Sequence, residues 1–174
     1  ASLHLDHDPK CLSQRTTGRT RLAAGILLQS APSVCGTLLR RAIGSYMLDS
    51  GGGIAMAARG DAPAGVAAAG RAIDAAARIC LLADRQPYPY GKWLLRAARD
   101  SRLGPAVTPV LDEIAATIGE LSDPPEGVDF RVWTPIARLR QLRAILSSNL
   151  PAIGWAGPWV TDLGLNLPLV FRGA

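Results

Sequence analysis

Histidine is nearly missing from this chain. His4 and His7 are the only two, and both precede the first apolar run. No histidine in the body of the chain can act as a general acid, a base or a metal ligand. Cysteine is sparse as well. Cys11, Cys35 and Cys80 have no C-x-x-C spacing, which argues against a disulfide framework and against a zinc site. Cys35 and Cys80 fall in apolar helical patterns and are expected to be small buried hydrophobes. His4, Asp6, His7 and Asp8 could take up a metal adventitiously, but they sit in a polar opening segment, so no resident metal and no cofactor are expected. Long apolar runs are also lacking, so no membrane span is expected. The first apolar run, Leu22 to Leu28, is too short and too late for a secretory leader, and the expected location is cytoplasmic. Ala1-Ser2 is what trimming of an initiator Met would leave, and an excised fragment could begin the same way.

Lysine is rarer than the net charge of +5 suggests: Lys10 and Lys92 stand against many arginines, a bias that reads as a GC-rich genome. The arginines are spread along the chain and interleaved with acids, as where Asp74 lies between Arg71 and Arg78. A nucleic-acid partner would want a basic stripe, so none is expected. A small anionic ligand needs only two or three convergent arginines.

What remains is helix-forming. Ala, Leu and Arg dominate and β-branched residues are few. With 174 residues, 48% of them apolar, the chain can bury one core. Residues 1–18 read as a flexible tail and 19–174 as a single helical domain. Helices are expected from Arg19 to Gln29, from Val34 to Asp49 before the Ser50-Gly51-Gly52-Gly53 stop, and from an Asp61 cap with Pro63 in the first turn to about Asp84. Further helices are expected over Gly91–Arg102, from Thr108-Pro109 to Leu121, and from Thr134-Pro135 to about Asn149. Gly104-Pro105 reads as the stop between two of these, and Asp112 and Glu113 as first-turn acids favouring the dipole. Residues 150–174 read as an irregular arm packed on the helices, with Trp133, Trp155 and Trp159 sealing the bundle or lining a pocket. The expected fold class is all-α: an antiparallel bundle of five or six helices with an irregular C-terminal arm.

The densest chemical signal is Tyr88-Pro89-Tyr90-Gly91-Lys92-Trp93, at a corner that Pro87 and Pro89 force. Tyr88 and Tyr90 could stack on a flat ligand or simply build a tight corner. Lys92 is either an anion contact or a solvated lysine, and Trp93 is expected to be a core anchor. Tyr46 and Asp49 lie one helical turn apart and, with Asp84, are the candidates for acid–base work; the ordinary alternative is a surface hydrogen bond or a helix-end charge.

From Arg59-Gly60-Asp61 through Leu81-Leu82-Ala83-Asp84-Arg85-Gln86-Pro87-Tyr88-Pro89-Tyr90-Gly91-Lys92-Trp93-Leu94, the chain resembles the C-terminal helical domain of antibiotic-type nucleotidyltransferases. The resemblance covers about residues 37–120. It implies a module that binds a nucleotide or small polar substrate through Arg59, Tyr88, Tyr90, Lys92 and Trp93, with Lys92 at the position of the lysine that helps hold a triphosphate. Two departures stand out. Asp84 replaces the expected asparagine, and the Gly-Ser and paired-aspartate motif of the catalytic domain is absent, since Gly51-Gly52-Gly53 leads into Ile54-Ala55-Met56. Nucleotidyl transfer would therefore need a catalytic partner chain. The alternative is a standalone enzyme of secondary metabolism that reuses the helical pocket for cyclisation or proton transfer. A protein-interaction domain is a third option. The arginine-x4-histidine pattern of helical ribonucleases is absent.

Overall fold

In a computed structural model, residues 32–122, 127, 129 and 133–171 are described. The expected tail and the Arg19–Gln29 helix lie outside the described residues. Within them the chain is mostly helical and contains no strand. The α-helices are α1 (Pro32–Ala57), α2 (Ala62–Ala83), α3 (Leu94–Arg99), α4 (Gly104–Thr117), α5 (Thr134–Ala152), α6 (Pro158–Thr161) and α7 (Pro168–Phe171). Single 3₁₀ turns precede α3, follow α4 and link α6 to α7.

The bundle is built on an antiparallel hairpin of α1 and α2. The Cys35 thiol donates to the Leu82 carbonyl at 3.3 Å near one end, and Arg71 Nε meets Asp49 Oδ1 at 2.8 Å toward the other. Ala68, Ala69, Ala72, Ala75, Ala76 and Ala77 are all buried on α2, and side chains this small let the neighbouring backbones approach. Leu39, Ile43 and Tyr46 of α1 fill the space above them, joined by Leu103, Leu111, Ile114, Leu142 and Leu146 from the later helices. Each fully buried Leu or Ile contributes about 1.5–3 kcal/mol. A second cluster of Ala57, Ala69, Leu121, Trp133 and Ile136 closes the far end of the hairpin.

Helix α2 starts as expected: Asp61 accepts from the Ala64 amide at 3.2 Å and Pro63 occupies the first turn. Three boundaries differ from the sequence reading. Helix α1 runs straight through Ser50-Gly51-Gly52-Gly53 to Ala57. Glycine raises the cost of helix but does not forbid it, and Ala57, buried in the second cluster, holds the last turns against α2. Gly104-Pro105 opens α4 and does not end the helix before it. A Cβ at Gly104 would strike the Arg99 and Ala98 carbonyls, the latter at 2.6 Å, so only glycine fits this tight corner. Pro109 therefore lies inside α4, and the buried Thr108 turns its hydroxyl back to the Gly104 carbonyl at 2.8 Å in place of capping a new helix. Asp112 and Glu113 then fall beyond the first turn and pair with Arg99 and Arg138.

Two further corrections concern the ends. The Gly91–Arg102 segment is a 3₁₀ turn followed by the short α3. Helix α5 continues past Asn149 to Ala152, so the arm begins later and consists of short helical turns, not irregular chain. Asn166 anchors that arm. It is fully buried, donates to the Trp159 and Leu163 carbonyls at 2.9 and 3.1 Å, and accepts from Arg40 Nε at 3.1 Å. Trp155 and Trp159 pack edge to face at 5.9 Å between ring centres and seal the arm onto the core.

Candidate functional site

The outer face of the hairpin carries a groove of about 390 Å³. Its walls are two stripes of identical spacing. Helix α1 supplies Leu38, Arg41, Ala42, Ser45 and Asp49, and α2 supplies Arg71, Asp74, Ala75, Arg78 and Leu82. Each stripe follows the i, i+3, i+4, i+7, i+11 rule of one helix face. Ala42, Ser45 and Ala75 are small and leave the floor open, while the long arginines stand as walls. Tyr88, just past the end of α2, completes the lining.

Charge in the groove is uneven: three arginines face two aspartates. Both aspartates are engaged. Arg71 Nε meets Asp49 across the hairpin, and Arg78 Nε lies 2.7 Å from Asp74 one turn away on α2. The second contact does not meet hydrogen-bond geometry, so it acts as a Coulombic pair. The Arg78 guanidinium also lies over the Tyr88 ring, 4.8 Å from its centre. Among the described residues, Arg41 makes no ion pair and the Ser45 hydroxyl makes no hydrogen bond. The sequence reading had Asp74 flanked by Arg71 and Arg78; Asp74 takes only Arg78, because Arg71 reaches across to α1.

The structure separates the residues that the sequence groups together. Asp49 lines the groove, but Tyr46 points the other way. Its phenol is fully buried and donates to the Leu139 carbonyl at 2.5 Å. Burial pushes its pKa well above the ordinary tyrosine value, with the Arg143 charge opposing. Asp84 caps the end of α2 and receives the Arg102 backbone N–H at 2.8 Å and Arg102 Nε at 2.6 Å. Tyr88 joins the groove, half exposed. Tyr90 is 82% exposed. Lys92 lies in the 3₁₀ turn with its ammonium 5.4 Å from the Trp93 ring centre. Trp93 is not a core anchor: it is 47% exposed, and the buried residue at this corner is Leu94. Arg59 lies in the turn before α2, a helix of 22 residues, which spans about 33 Å at the α-helical rise. It is therefore remote from the Tyr88–Trp93 corner beyond the helix's other end.

Reasoning from the sequence missed Arg41 and Ser45. The signal was there in the equal spacing of the two stripes, but only the antiparallel register brings them together. Among the described residues there is no cluster of three metal-ligating side chains, and no helix is long and apolar enough to cross a membrane. The sequence matches no protein-family model and no curated protein, and the structure matches no solved structure.

Proposed function

We propose that this chain is a small-molecule-binding helical module of the kind found behind nucleotidyltransferase catalytic domains, and that the α1/α2 groove is its ligand site. The observation that carries the reading is the groove itself, in which polar side chains converge over a floor of small residues and unpaired donors remain at Arg41 and Ser45. A ligand site needs this combination of concavity and a few oriented polar groups. The Tyr88–Trp93 segment leads away from the groove at Tyr88, so Lys92 is within a few residues of its rim. A nucleotide reaching from the groove toward Lys92 is the ligand that the family resemblance favours, and chemistry on it would fall to a catalytic partner chain.

The competing reading, a standalone enzyme of secondary metabolism working by proton transfer, is less well supported. Tyr46 is sealed in the core, Asp84 is committed to Arg102, and the Asp49 carboxylate is neutralised by Arg71. Thermal-shift measurements with ATP and Mg²⁺, other nucleotides and a panel of polar natural products separate the two. Stabilisation by nucleotide that is lost in both Lys92→Ala and Tyr88→Ala supports the module. Silence toward nucleotides with turnover of a natural product moves the assignment to the enzyme.

A further inference from the structure

We infer that the groove selects a planar aromatic acid, with its anionic group held between Arg41, Ser45 and the outer edge of Arg78 and its ring against Tyr88; this rests on the groove being the ligand site. Three observations lead there. First, both groove carboxylates already have arginine partners, so the charge left over is positive and belongs to Arg41. Second, the guanidinium donors outnumber what the two carboxylates take up. Arg41 has no partner among the described residues. The Ser45 hydroxyl, one turn further along the same face, has none either. Arg78 turns Nε toward Asp74, while its two terminal nitrogens make no hydrogen bond among the described residues. The excess of cationic donors suits an anionic acceptor, and a guanidinium edge with a nearby hydroxyl suits a carboxylate or phosphate monoester. Third, the Tyr88 ring lines that end of the groove, with the Arg78 guanidinium carbon 4.8 Å from its centre, so an aromatic surface and a cation lie side by side there. At about 390 Å³ the space suits one small ligand.

The test uses the full chain with alanine methyls isotopically labelled, so that Ala42 and Ala75 report on the groove floor. Naphthoate and naphthyl phosphate are titrated beside naphthalenemethanol, which keeps the ring and lacks the charge, and cyclohexanecarboxylate, which keeps the charge and lacks the plane. At least one aromatic acid should move both methyl resonances saturably, and the two acids distinguish a carboxylate from a phosphate preference. Affinity should fall about tenfold in Arg41→Ala, the loss expected for one charge-assisted hydrogen bond, and about as much in Tyr88→Leu. Both side chains are substantially exposed, so the fold should tolerate these changes, and unchanged melting confirms that it does. Equal binding of naphthalenemethanol, or acid binding that is indifferent to Arg41→Ala, overturns the inference. If nucleotides or naphthalenemethanol move the methyls while the acids do not, the groove remains a ligand site and only the ligand class falls. If no probe and no nucleotide moves them, both readings fall.

Discussion

Asp84 and Arg102 are joined twice, through the Arg102 backbone amide at 2.8 Å and its Nε at 2.6 Å. The same guanidinium reaches the carbonyls of Ala83 and Ile153, and the Trp155 indole donates to Ala83 at 2.9 Å. One carboxylate thus ties together the end of α2, the turn before α4 and the start of the C-terminal arm. Only 9% of its side chain is exposed, so removing it takes away two charge-assisted hydrogen bonds and the packing at this junction, although water can reach the Arg102 donors. Asp84→Ala should cost about 1.5–3 kcal/mol, the range for hydrogen bonds to a charged group, and toward its lower end because Arg102 is exposed, read as a lower urea midpoint with unchanged slope. A cost below about 0.5 kcal/mol, the level of an ordinary surface change, would return Asp84 to the list of chemically available acids.

The α1 glycines separate two effects that sequence cannot tell apart. At Gly51 and Gly52 an added Cβ meets nothing within 4 Å, whereas at Gly44 it meets the Asn166 carbonyl at 2.6 Å and a Val170 methyl at 2.7 Å. Gly51→Ala should stabilise the protein by about 0.5–1 kcal/mol, because glycine is the poorer helix former. Gly44→Ala should destabilise it by about 1–3 kcal/mol through overpacking and expose the arm to limited proteolysis. Thermal melts of the two variants should therefore move in opposite directions.

That contrast also shows what was legible. Periodicity and caps located the helices, and the Asp61 cap of α2 is where the sequence put it. Glycine and proline misled the reading wherever tertiary packing overrode the local signal: Gly51–Gly53 inside α1, Pro109 inside α4, and Gly104 as a corner where the Ala98 and Arg99 carbonyls leave no room for a Cβ. The candidate site was half legible. The sequence groups Asp74 with Arg71 and Arg78 in one helical ion-pair arrangement, Asp49 with Tyr46, and Tyr88 with its corner, but the meeting of these residues with Arg41 and Ser45 depends on how α1 and α2 slide past each other, and that register is fixed by contacts far apart in the chain.

Alkali should unfold this protein early. Burial pushes the Cys80 thiol up to about 12 from an ordinary 9.0, with a Ser101 hydrogen bond opposing and Asp84 adding; burial raises Cys35 and Tyr46 as well. The folded state therefore keeps the Cys80 proton that the unfolded chain releases above pH 9, so unfolding is favoured as pH rises from about 9 toward 12. Urea midpoints should be flat below pH 8 as far as these groups are concerned, and should fall above pH 9. Cys80→Ala should shallow the slope. An unchanged slope in that variant would assign the alkaline loss to Tyr46 and Cys35.

The corner after α2 makes the sharpest test of the fold. The sequence alone makes Trp93 the anchor, because it is the largest apolar side chain there. The structure gives that place to Leu94, which is 3% exposed against 47% for Trp93. Helix α3 must present Leu94 and Ala98 to the core together, and their i, i+4 spacing leaves Trp93 at the edge beside Lys92. Leu94→Ala should cost about 2–5 kcal/mol, the range for emptying a buried leucine site. Trp93→Ala should cost less than Leu94→Ala and leave the near-ultraviolet dichroism of the Trp155–Trp159 pair in place. If the order of the two costs is reversed, α3 is rotated relative to this structure, and Trp93 is the residue that packs.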